Sequence, residues 1–295
     1  MLKAIRNFFN GLAFGITETI PGVSGGTIAI ILGFYFELIE TINHFSADIR
    51  KSLCFLVPLI LGIASGIVLF SSIINFLLAN YSFPTMLFFI GLITGIIPHI
   101  FTRAKDSGRG FKPAQILLIA VPFLFLVTIS FLKGVSITNP EVVIKNIDVP
   151  FMIFIFFSGI IAAAALVIPG ISGSFVLLLL GIYPVAIYSV SSIRFLLGDF
   201  GNTELLLNIC KVLAPLAIGV IIGGLSMVRL IEKLLKNHAR IVYSIILGLL
   251  LGSVCVLFKD PIVYKSGISV ITIIIGAATF SLGCALSYKI GKKRL

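Results

Sequence analysis

The sequence predicts an all-α polytopic membrane protein with an inverted-topology repeat, made of two re-entrant or broken helical hairpins and about six transmembrane helices. Three observations carry this prediction: the composition, the length of the apolar stretches, and a motif that occurs twice. Hydrophobic residues make up 59% of the 295 residues and charged residues 11%. A soluble domain has about 45–50% apolar residues even when glycine is counted. Lipid can solvate the surplus of apolar side chains, so the composition indicates a membrane protein.

The distribution of charge agrees with a membrane topology and argues against a nucleic-acid-binding protein. The formal net charge is +11, but the basic residues form short clusters between apolar segments instead of a stripe along a helix. Most of the 22 Lys and Arg residues fall in loops on one predicted side of the membrane. By the positive-inside rule these loops, together with both termini, are cytoplasmic.

Neither the cysteines nor the N-terminal segment indicates a metal site, a cofactor or a cleaved signal peptide. Cys54, Cys210, Cys255 and Cys284 are scattered singly among apolar residues, without a Cys-x-x-Cys spacing. We therefore expect neither a metal site nor a cofactor. The apolar segment from Ala4 continues into a Pro-Gly motif without a small-residue cleavage site, so we expect it to be mature structure.

Six uninterrupted apolar stretches are each long enough to cross about 30 Å of hydrocarbon as a helix. We expect each of them to be one transmembrane span. They are Leu53–Ala79, Pro84–Phe101, Ala114–Leu132, Val212–Val228, Ile241–Phe258 and Gly267–Tyr288.

Two further apolar regions are interrupted by a Pro-Gly pair. Residues 4–40 contain Pro21-Gly22 and residues 150–190 contain Pro169-Gly170, and each break leaves two arms of about 17–20 residues without a polar turn. Such a region forms either a hairpin whose tip stays within the membrane or two full spans with a tight connection. Non-helical backbone at that depth requires surrounding protein or a watery cavity. We favour the re-entrant hairpin.

The two breaks belong to an internal repeat. The sequence Ile-Pro-Gly-Val-Ser-Gly-Gly at residues 20–26 matches Ile-Pro-Gly-Ile-Ser-Gly-Ser at residues 168–174, and the match continues into a Leu-Gly pair in both copies. Prolines and glycines of the following spans also recur, and we expect these glycines to pack helices closely. The pairs are Pro58 with Pro215, Gly62 with Gly219, Gly66 with Gly223, Gly91 with Gly248 and Gly95 with Gly252.

The repeat predicts the domain organisation. Residues 1–133 form the first repeat, with the broken hairpin 4–40 and three spans, and residues 150–295 form the second, with the broken hairpin 150–190 and three spans. Residues 134–149 form an external linker. Related halves that each cross the membrane an odd number of times have opposite orientations, and transporters of this architecture bind substrate near the midplane at broken helices. We therefore expect the two Pro-Gly tips to reach the centre from opposite faces.

The chemistry of both tips suits an anion. Pro21-Gly22 and Pro169-Gly170 end one helix, and the residues that follow open the next with glycine, exposed N–H groups and hydroxyl groups, which together bind phosphate or carboxylate. The alternative is that Pro-Gly only turns a hairpin and the serines only cap a helix. The candidate phosphate-binding residues are Ser24, Gly25, Gly26, Thr27, Ser172, Gly173 and Ser174.

These motifs give the chain a recognisable resemblance. The pattern Gly15-x-x-Glu18-x-x-Pro21-Gly22, followed by Val-Ser-Gly-Gly-Thr, and the second motif at residues 168–174 resemble the bacterial polyprenyl-phosphate transporter family along essentially the whole chain. The resemblance implies a flippase, not an enzyme, that returns undecaprenyl phosphate, the carrier lipid of cell-wall synthesis, to the cytoplasmic leaflet. It also implies a bacterial cytoplasmic membrane and a polyprenyl phosphate lipid as partner, while the formation of homo-oligomers stays open. The acidic position before the first Pro-Gly pair, often Asp in the family, is Glu18 here.

Glu18 is the candidate for proton coupling. A carboxyl beside a membrane-buried break should face a cavity or a partner, where it can gain and lose a proton during transport. Alternatively, it only bonds N–H groups of the opposite tip. The equivalent position in the second half is Leu166. No Lys or Arg falls in the middle of a span, and Arg194 and Arg229, close to the membrane edges, are candidates for attracting headgroups to the substrate portal.

The competing hypothesis is a membrane undecaprenyl pyrophosphate phosphatase. Those enzymes also have inverted repeats and a Pro-Gly-x-Ser motif, but theirs continues with Arg-Ser and is joined by a Glu-x-x-x-Glu pair. Here Gly25-Gly26 stands in place of Arg-Ser, and Glu37 and Glu40 have a different spacing. Without an arginine, nothing obvious stabilises charge that develops on a transferred phosphoryl group. An ion or small-anion channel is a third possibility.

Overall fold

The computed structural model describes residues 2–18, 23–105, 113–131, 140–145, 147–198, 203–265, 267 and 269–294. Within these ranges the chain forms α-helices and one short 3-10 helix, Pro261–Tyr264, and no strand, which confirms the all-α prediction. The helices are α1 Leu2–Glu18, α2 Gly25–Ile31, α3 Tyr35–Asn43, α4 Ile49–Asn80, α5 Ser82–Ala104, α6 Pro113–Ile129, α7 Pro140–Lys145, α8 Val149–Val167, α9 Gly173–Leu179, α10 Ile182–Gly198, α11 Thr203–Lys259 and α12 Val270–Arg294.

The helices have the length and surface of a multi-pass membrane protein. Five of those described are long and apolar enough to cross a membrane, or up to seven spans if each of two bent helix pairs counts as one. Large apolar side chains face outward along them, with Val68 of α4 73% exposed and Val270 of α12 75% exposed. Such surfaces are stable in lipid and would aggregate in water. The predicted membrane class is confirmed.

The chain divides into two compact units. The first comprises Met1–Ser130, Ile168–Ile171 and Val228–Leu295, and in it α1 packs on α4 and α5 packs on α12. The second comprises Phe131–Val167 and Ser172–Met227, and in it α8 packs on α9 and α7 on α10. Its core is a cluster of fully buried aliphatic side chains: Ile144, Ile147, Ile155, Ile182, Val185 and Val212.

The recurrent glycines pack the first helix of each predicted repeat against its long neighbour. A Cβ at Gly62 of α4 would overlap the carbonyl oxygen of Phe8 in α1. In the second unit, a Cβ at Gly219 of α11 would overlap the carbonyl oxygen of Phe156 in α8. Only glycine permits such a close approach of two backbones, as in the small-residue contacts of other membrane helices. The two units therefore have equivalent local packing at the positions that the repeat pairs.

Inside the first unit, helices of the two predicted repeats interleave. Gly91 of α5 lies against the backbone of Phe280 in α12, and Gly248 of α11 lies against the backbone of Ile119 in α6. The last helix of each predicted repeat thus packs on the preceding helix of the other repeat. The compact units consequently do not coincide with the predicted division at residues 134–149, because this exchange joins the ends of both repeats.

The structure shows where helices end and begin on either side of the two Pro-Gly breaks. At the first break α1 ends at Glu18 and α2 begins at Gly25, while Pro21 and Gly22 lie outside the described residues. At the second, α8 ends at Val167 and α9 begins at Gly173, with Gly170 at a φ of +92°.

The arm after each break is not one continuous helix but two helices joined at a sharp bend, which the sequence analysis did not predict. Gly33 has a φ of 70° and separates α2 from α3 with a bend of 112°. Gly181 has a φ of 76° and separates α9 from α10 with a bend of 111°. Glycine adopts this left-handed conformation without the Cβ penalty, so the repeated Leu-Gly pair ends a helix of seven residues in both copies.

Candidate functional site

The first motif joins the end of α1 to the start of α2. The N–H of Gly25 donates a hydrogen bond of 3.1 Å to Oε1 of Glu18. Ser24 precedes α2 in an extended conformation, with φ −93° and ψ 129°, and its side chain makes no capping hydrogen bond. The hydroxyl groups of Ser24 and Thr27 are buried and have no partner within the described chain. Buried hydroxyl groups are normally satisfied, so this turn has unused hydrogen-bonding capacity.

Gly25 is held in a tight space beside the carboxylate. A Cβ built on Gly25 would overlap the ring of Phe14 and come within 2.5 Å of Oε1 of Glu18. Any larger residue must therefore displace either the ring or the carboxyl group. The predicted phosphate-binding residues Ser24, Gly25, Gly26 and Thr27 are all buried at this turn, and Glu18 lies directly against it.

The second motif has the same backbone conformation at its serine but a different polar content. Ser172 precedes α9 with φ −95° and ψ 128°, close to the values at Ser24. Here, however, the hydroxyl groups of Ser172 and Ser174 pair with each other at 2.8 Å. A Cβ on Gly173 would come within 2.7 Å of the carbonyl oxygen of Ala162, and Leu166 replaces the carboxyl group of the first motif. The two motifs therefore share geometry and differ in charge.

The Pro169-Gly170 break is fixed by a serine that the sequence analysis missed. The hydroxyl oxygen of Ser253 in α11 lies 2.8 Å from the carbonyl oxygen of Gly170 and 2.9 Å from that of Leu249. Ser253 is 4% exposed, so this hydrogen bond is protected from water. The sequence offers one signal, a serine directly after the recurrent Gly252. It does not show which carbonyl group the hydroxyl of that serine contacts.

Two asparagines on α1 form a second feature that the sequence analysis did not single out. Asn7 is 3% exposed and Asn10 is 5% exposed. Oδ1 of Asn7 and Nδ2 of Asn10 have no hydrogen-bond partner in the described part of the chain. Their spacing from Glu18 along α1 places the three side chains on one face, and that helical spacing was a readable signal.

A third polar cluster connects α3 with α11. Glu232 is 6% exposed and accepts hydrogen bonds from Nδ2 of Asn43 and, at 2.5 Å, from Nζ of Lys236. Nδ1 of His44 lies 3.6 Å from the same carboxylate. Glu232 thereby ties the end of α3 to the part of α11 that precedes a non-helical residue, His238. The sequence analysis missed this carboxylate because its partners are remote in the chain.

Two cavities adjoin the polar end of α3. One, of about 320 Å³, lies beside Phe36, Glu232 and Tyr243. The other, of about 530 Å³, is called the vestibule here, and its border includes Lys3, Asn7, Glu40, His44, Asp48 and Lys51. Glu37 also borders the vestibule and forms an ion pair of 3.1 Å with Arg6. The vestibule therefore holds charges of both signs.

The predicted portal residue Arg229 borders neither cavity. Arg229 is exposed on α11. Arg194 falls in α10, in a stretch whose side chains lie outside the described part. Among the described residues, no group of three or more His, Cys, Asp or Glu side chains is placed so that it could hold a metal ion.

Comparison with known proteins covers both motifs. A family model described as undecaprenyl phosphate translocase-like matches residues 14–272. A protein of Staphylococcus aureus named polyprenyl-phosphate transporter is 28% identical over 253 residues, which are 85% of this chain and 85% of that protein. A protein of Vibrio cholerae with the same name is 28% identical over 266 residues, 85% of this chain and 77% of that protein. No solved structure matches the chain.

Proposed function

Because the chain belongs to the undecaprenyl phosphate translocase-like family, we propose that it transports a polyprenyl monophosphate, undecaprenyl phosphate, across the bacterial cytoplasmic membrane. The transport returns the carrier lipid to the cytoplasmic leaflet for reuse in cell-envelope synthesis. The two similar proteins named polyprenyl-phosphate transporter support the substrate class. The observation that carries the proposal is the pair of glycine-rich turns with matching backbone angles at Ser24 and Ser172.

In this proposal each turn contacts the lipid phosphate. In the first, Ser24 and Thr27 supply the unpartnered buried hydroxyl groups, and Gly25 and Gly26 let phosphate oxygens approach the backbone. An unsatisfied buried hydroxyl group costs about 1–3 kcal/mol, and a bound phosphate removes this cost. In the second, Gly173 has the same role, and the hydroxyl groups of Ser172 and Ser174 exchange their mutual bond for bonds to phosphate. Pro21, Gly22, Pro169 and Gly170 break the helices that lead to these turns.

Glu18 couples this binding to a proton. While ionised, its carboxylate holds the N–H of Gly25, a donor that a phosphate oxygen also needs. Protonation removes the negative charge that would repel phosphate and weakens the hydrogen bond, because a bond to an ionised acceptor is about twice as strong as a neutral one. Proton uptake then accompanies phosphate binding, and release accompanies its departure. Leu166 at the equivalent position confines coupling to the first turn.

The proposed topology follows the inverted repeat. Both termini are cytoplasmic, the two broken hairpins are re-entrant, and Arg194 and Arg229 attract lipid headgroups near the membrane edges. The recurrent glycine contacts and the bend angles of 112° and 111° support the repeat, because both halves place the same residues in the same local geometry. A transporter of this design needs no covalent chemistry at the phosphate.

The test is reconstitution in liposomes with a labelled polyprenyl phosphate. Two quantities are measured on the same vesicles: movement of the lipid between leaflets and release of inorganic phosphate from a polyprenyl pyrophosphate. The proposal expects movement without phosphate release. Release of phosphate would instead favour the phosphatase, and permeation of ions without lipid movement would favour a channel.

A further inference from the structure

We propose that one face of α1 forms a hydrated path from the vestibule to Glu18, through which this carboxyl exchanges protons with water. The path is lined by Asn7 and Asn10, with Thr17 beside Glu18. This inference rests on the proposed function, because it takes Glu18 to gain and lose a proton during transport. It adds the route, which the motifs themselves do not contain.

The residues proposed to line the path lie on one face of α1. Lys3, Asn7, Asn10, Phe14 and Glu18 follow one another at intervals of three or four residues, so their side chains lie on one face of the helix. At 1.5 Å per residue, Asn7 and Glu18 are about 16 Å apart along the axis. Lys3 and Asn7 border the vestibule, whose volume of about 530 Å³ admits many water molecules. The face therefore begins at a wet cavity and ends at the first motif.

The two buried amides show where water is needed. Oδ1 of Asn7 is an acceptor and Nδ2 of Asn10 a donor, and neither has a partner in the chain as described. Residues three apart on a helix are neighbours, so one water molecule can donate to Oδ1 and accept from Nδ2. Burying such groups without partners is costly, whereas a water with two or more polar partners is a normal part of protein interiors.

Beyond Asn10 the path passes Phe14. The ring of Phe14 packs against Gly25, and the Thr17 hydroxyl next to Glu18 donates to the carbonyl oxygen of Phe14 at 2.7 Å. Thr17 is 3% exposed, and its oxygen keeps lone pairs that can accept from water.

Among the described residues, Glu18 is the titratable group of the path beyond the vestibule. Helix α2 and the segment 52–80 of α4, which pack on α1, contain no Asp, Glu, Lys, Arg or His. Charged or titratable side chains face the route only at the vestibule, so far as the described residues show. They are Lys3, Glu37, Glu40, His44, Asp48, Lys51 and Cys54, with Glu37 paired to Arg6.

The second half provides a matched control. The positions equivalent to Asn7 and Asn10 are Ile155 and Ser158. The hydroxyl group of Ser158 donates to the carbonyl oxygen of Phe154 at 2.7 Å, so this site needs no water. Both Asn10 and Ser158 are buried, which makes accessibility at the two positions directly comparable.

The first experiment measures access. In a background without the four native cysteines, Asn10→Cys and Ser158→Cys are reconstituted in liposomes and treated with a small cationic methanethiosulfonate reagent. We expect the cysteine at position 10 to react and the one at position 158 to stay unmodified. Equal, negligible labelling at both positions would show that the path is dry and would overturn the proposal.

The second experiment separates a path from a structural role. Asn10→Leu keeps the branched shape and the number of side-chain heavy atoms and removes the amide. If water is the only partner of the amide, thermal stability stays constant or rises, lipid phosphate still binds, and transport driven by a pH gradient is lost. A fall in Tm with transport retained would overturn the proposal. If Glu18→Gln keeps normal pH-driven transport, coupling at Glu18 fails, and the labelling at position 10 alone decides whether the hydrated path exists.

Discussion

The substitution Glu18→Gln tests how the first motif works. Glutamine keeps an oxygen that can accept from the N–H of Gly25, which now lies 3.1 Å from Oε1 of Glu18. A hydrogen bond to a charged group contributes about 1.5–3 kcal/mol and a neutral one about 1 kcal/mol, so the substitution should cost about 1 kcal/mol. Glu18→Ala leaves the N–H without this acceptor and should cost about 1–3 kcal/mol. Stability should therefore decrease from Glu to Gln to Ala.

Transport driven by a pH gradient should depend on whether residue 18 can titrate, and not on the stability of the variant. If Glu18 couples transport to a proton, the wild-type protein should bind phosphate better as the pH falls, because protonation of Glu18 frees the N–H of Gly25 and removes a repelling charge. Glutamine cannot titrate, so the Gln variant should bind lipid phosphate with little dependence on pH, and its transport driven by a pH gradient should fall sharply. Glu18→Asp should keep part of this transport. The assay is proteoliposome uptake at several pH values, with thermal stability measured on the same samples.

A matched control is Glu204→Gln, which alters an exposed carboxylate at the start of α11. This variant should keep both the rate and the pH dependence of transport, because Glu204 lies in neither motif and does not border the vestibule. An unchanged rate and an unchanged pH dependence in Glu18→Gln would refute the coupling role and leave Glu18 as a structural brace for α2.

Four further sets of substitutions test other parts of the structure and the topology. Ser24→Ala and Ser172→Ala should each reduce transport while leaving expression intact, and normal transport in both would show that these hydroxyl groups only shape the turns. Ser253→Ala should lower the free energy of unfolding by about 1 kcal/mol, because it removes the hydrogen bond to Gly170. The control Ser281→Ala should have a smaller effect, because it loses only a hydrogen bond within its own helix. Glu232→Leu removes the acceptor of Asn43 and Lys236, so it should release the end of α3 and lower the free energy of unfolding by about 1–3 kcal/mol. Equal stability of this variant and the wild-type protein in thermal unfolding would argue against this tie. Cysteine at Asn237 should be labelled only from the cytoplasm and cysteine at Lys265 only from outside, and labelling from the same side would contradict the proposed topology.

The sequence predicts best what depends on composition and local pattern. The apolar stretches identify the long helices, since an uninterrupted run of apolar residues has few alternatives in a membrane. The recurrent glycines were correctly assigned to helix packing, as Gly62 and Gly219 show. The family resemblance, carried by the two Pro-Gly motifs, is confirmed by the match over residues 14–272.

What the sequence does not predict depends on contacts that are remote in the chain or on backbone angles. A glycine inside an apolar run is compatible with packing and with a left-handed helix end, so the bends at Gly33 and Gly181 could not be distinguished from packing sites. Ser253 looks like any serine of a membrane helix until the carbonyl of Gly170 is placed beside it. The interleaving of α6 and α12 likewise follows from tertiary packing, which leaves no local signature.

The central claim is that the two glycine-rich turns carry a polyprenyl phosphate across the membrane. The most direct measurement is the rate at which a labelled polyprenyl phosphate changes leaflet in vesicles that contain wild-type protein, Gly25→Val or Gly173→Val. The account predicts rapid exchange with the wild-type protein and little above protein-free vesicles with either variant, because a branched side chain at Gly25 meets Phe14 and Glu18, and one at Gly173 meets the backbone of Ala162. Wild-type exchange rates in both variants, with correctly folded protein, would contradict it.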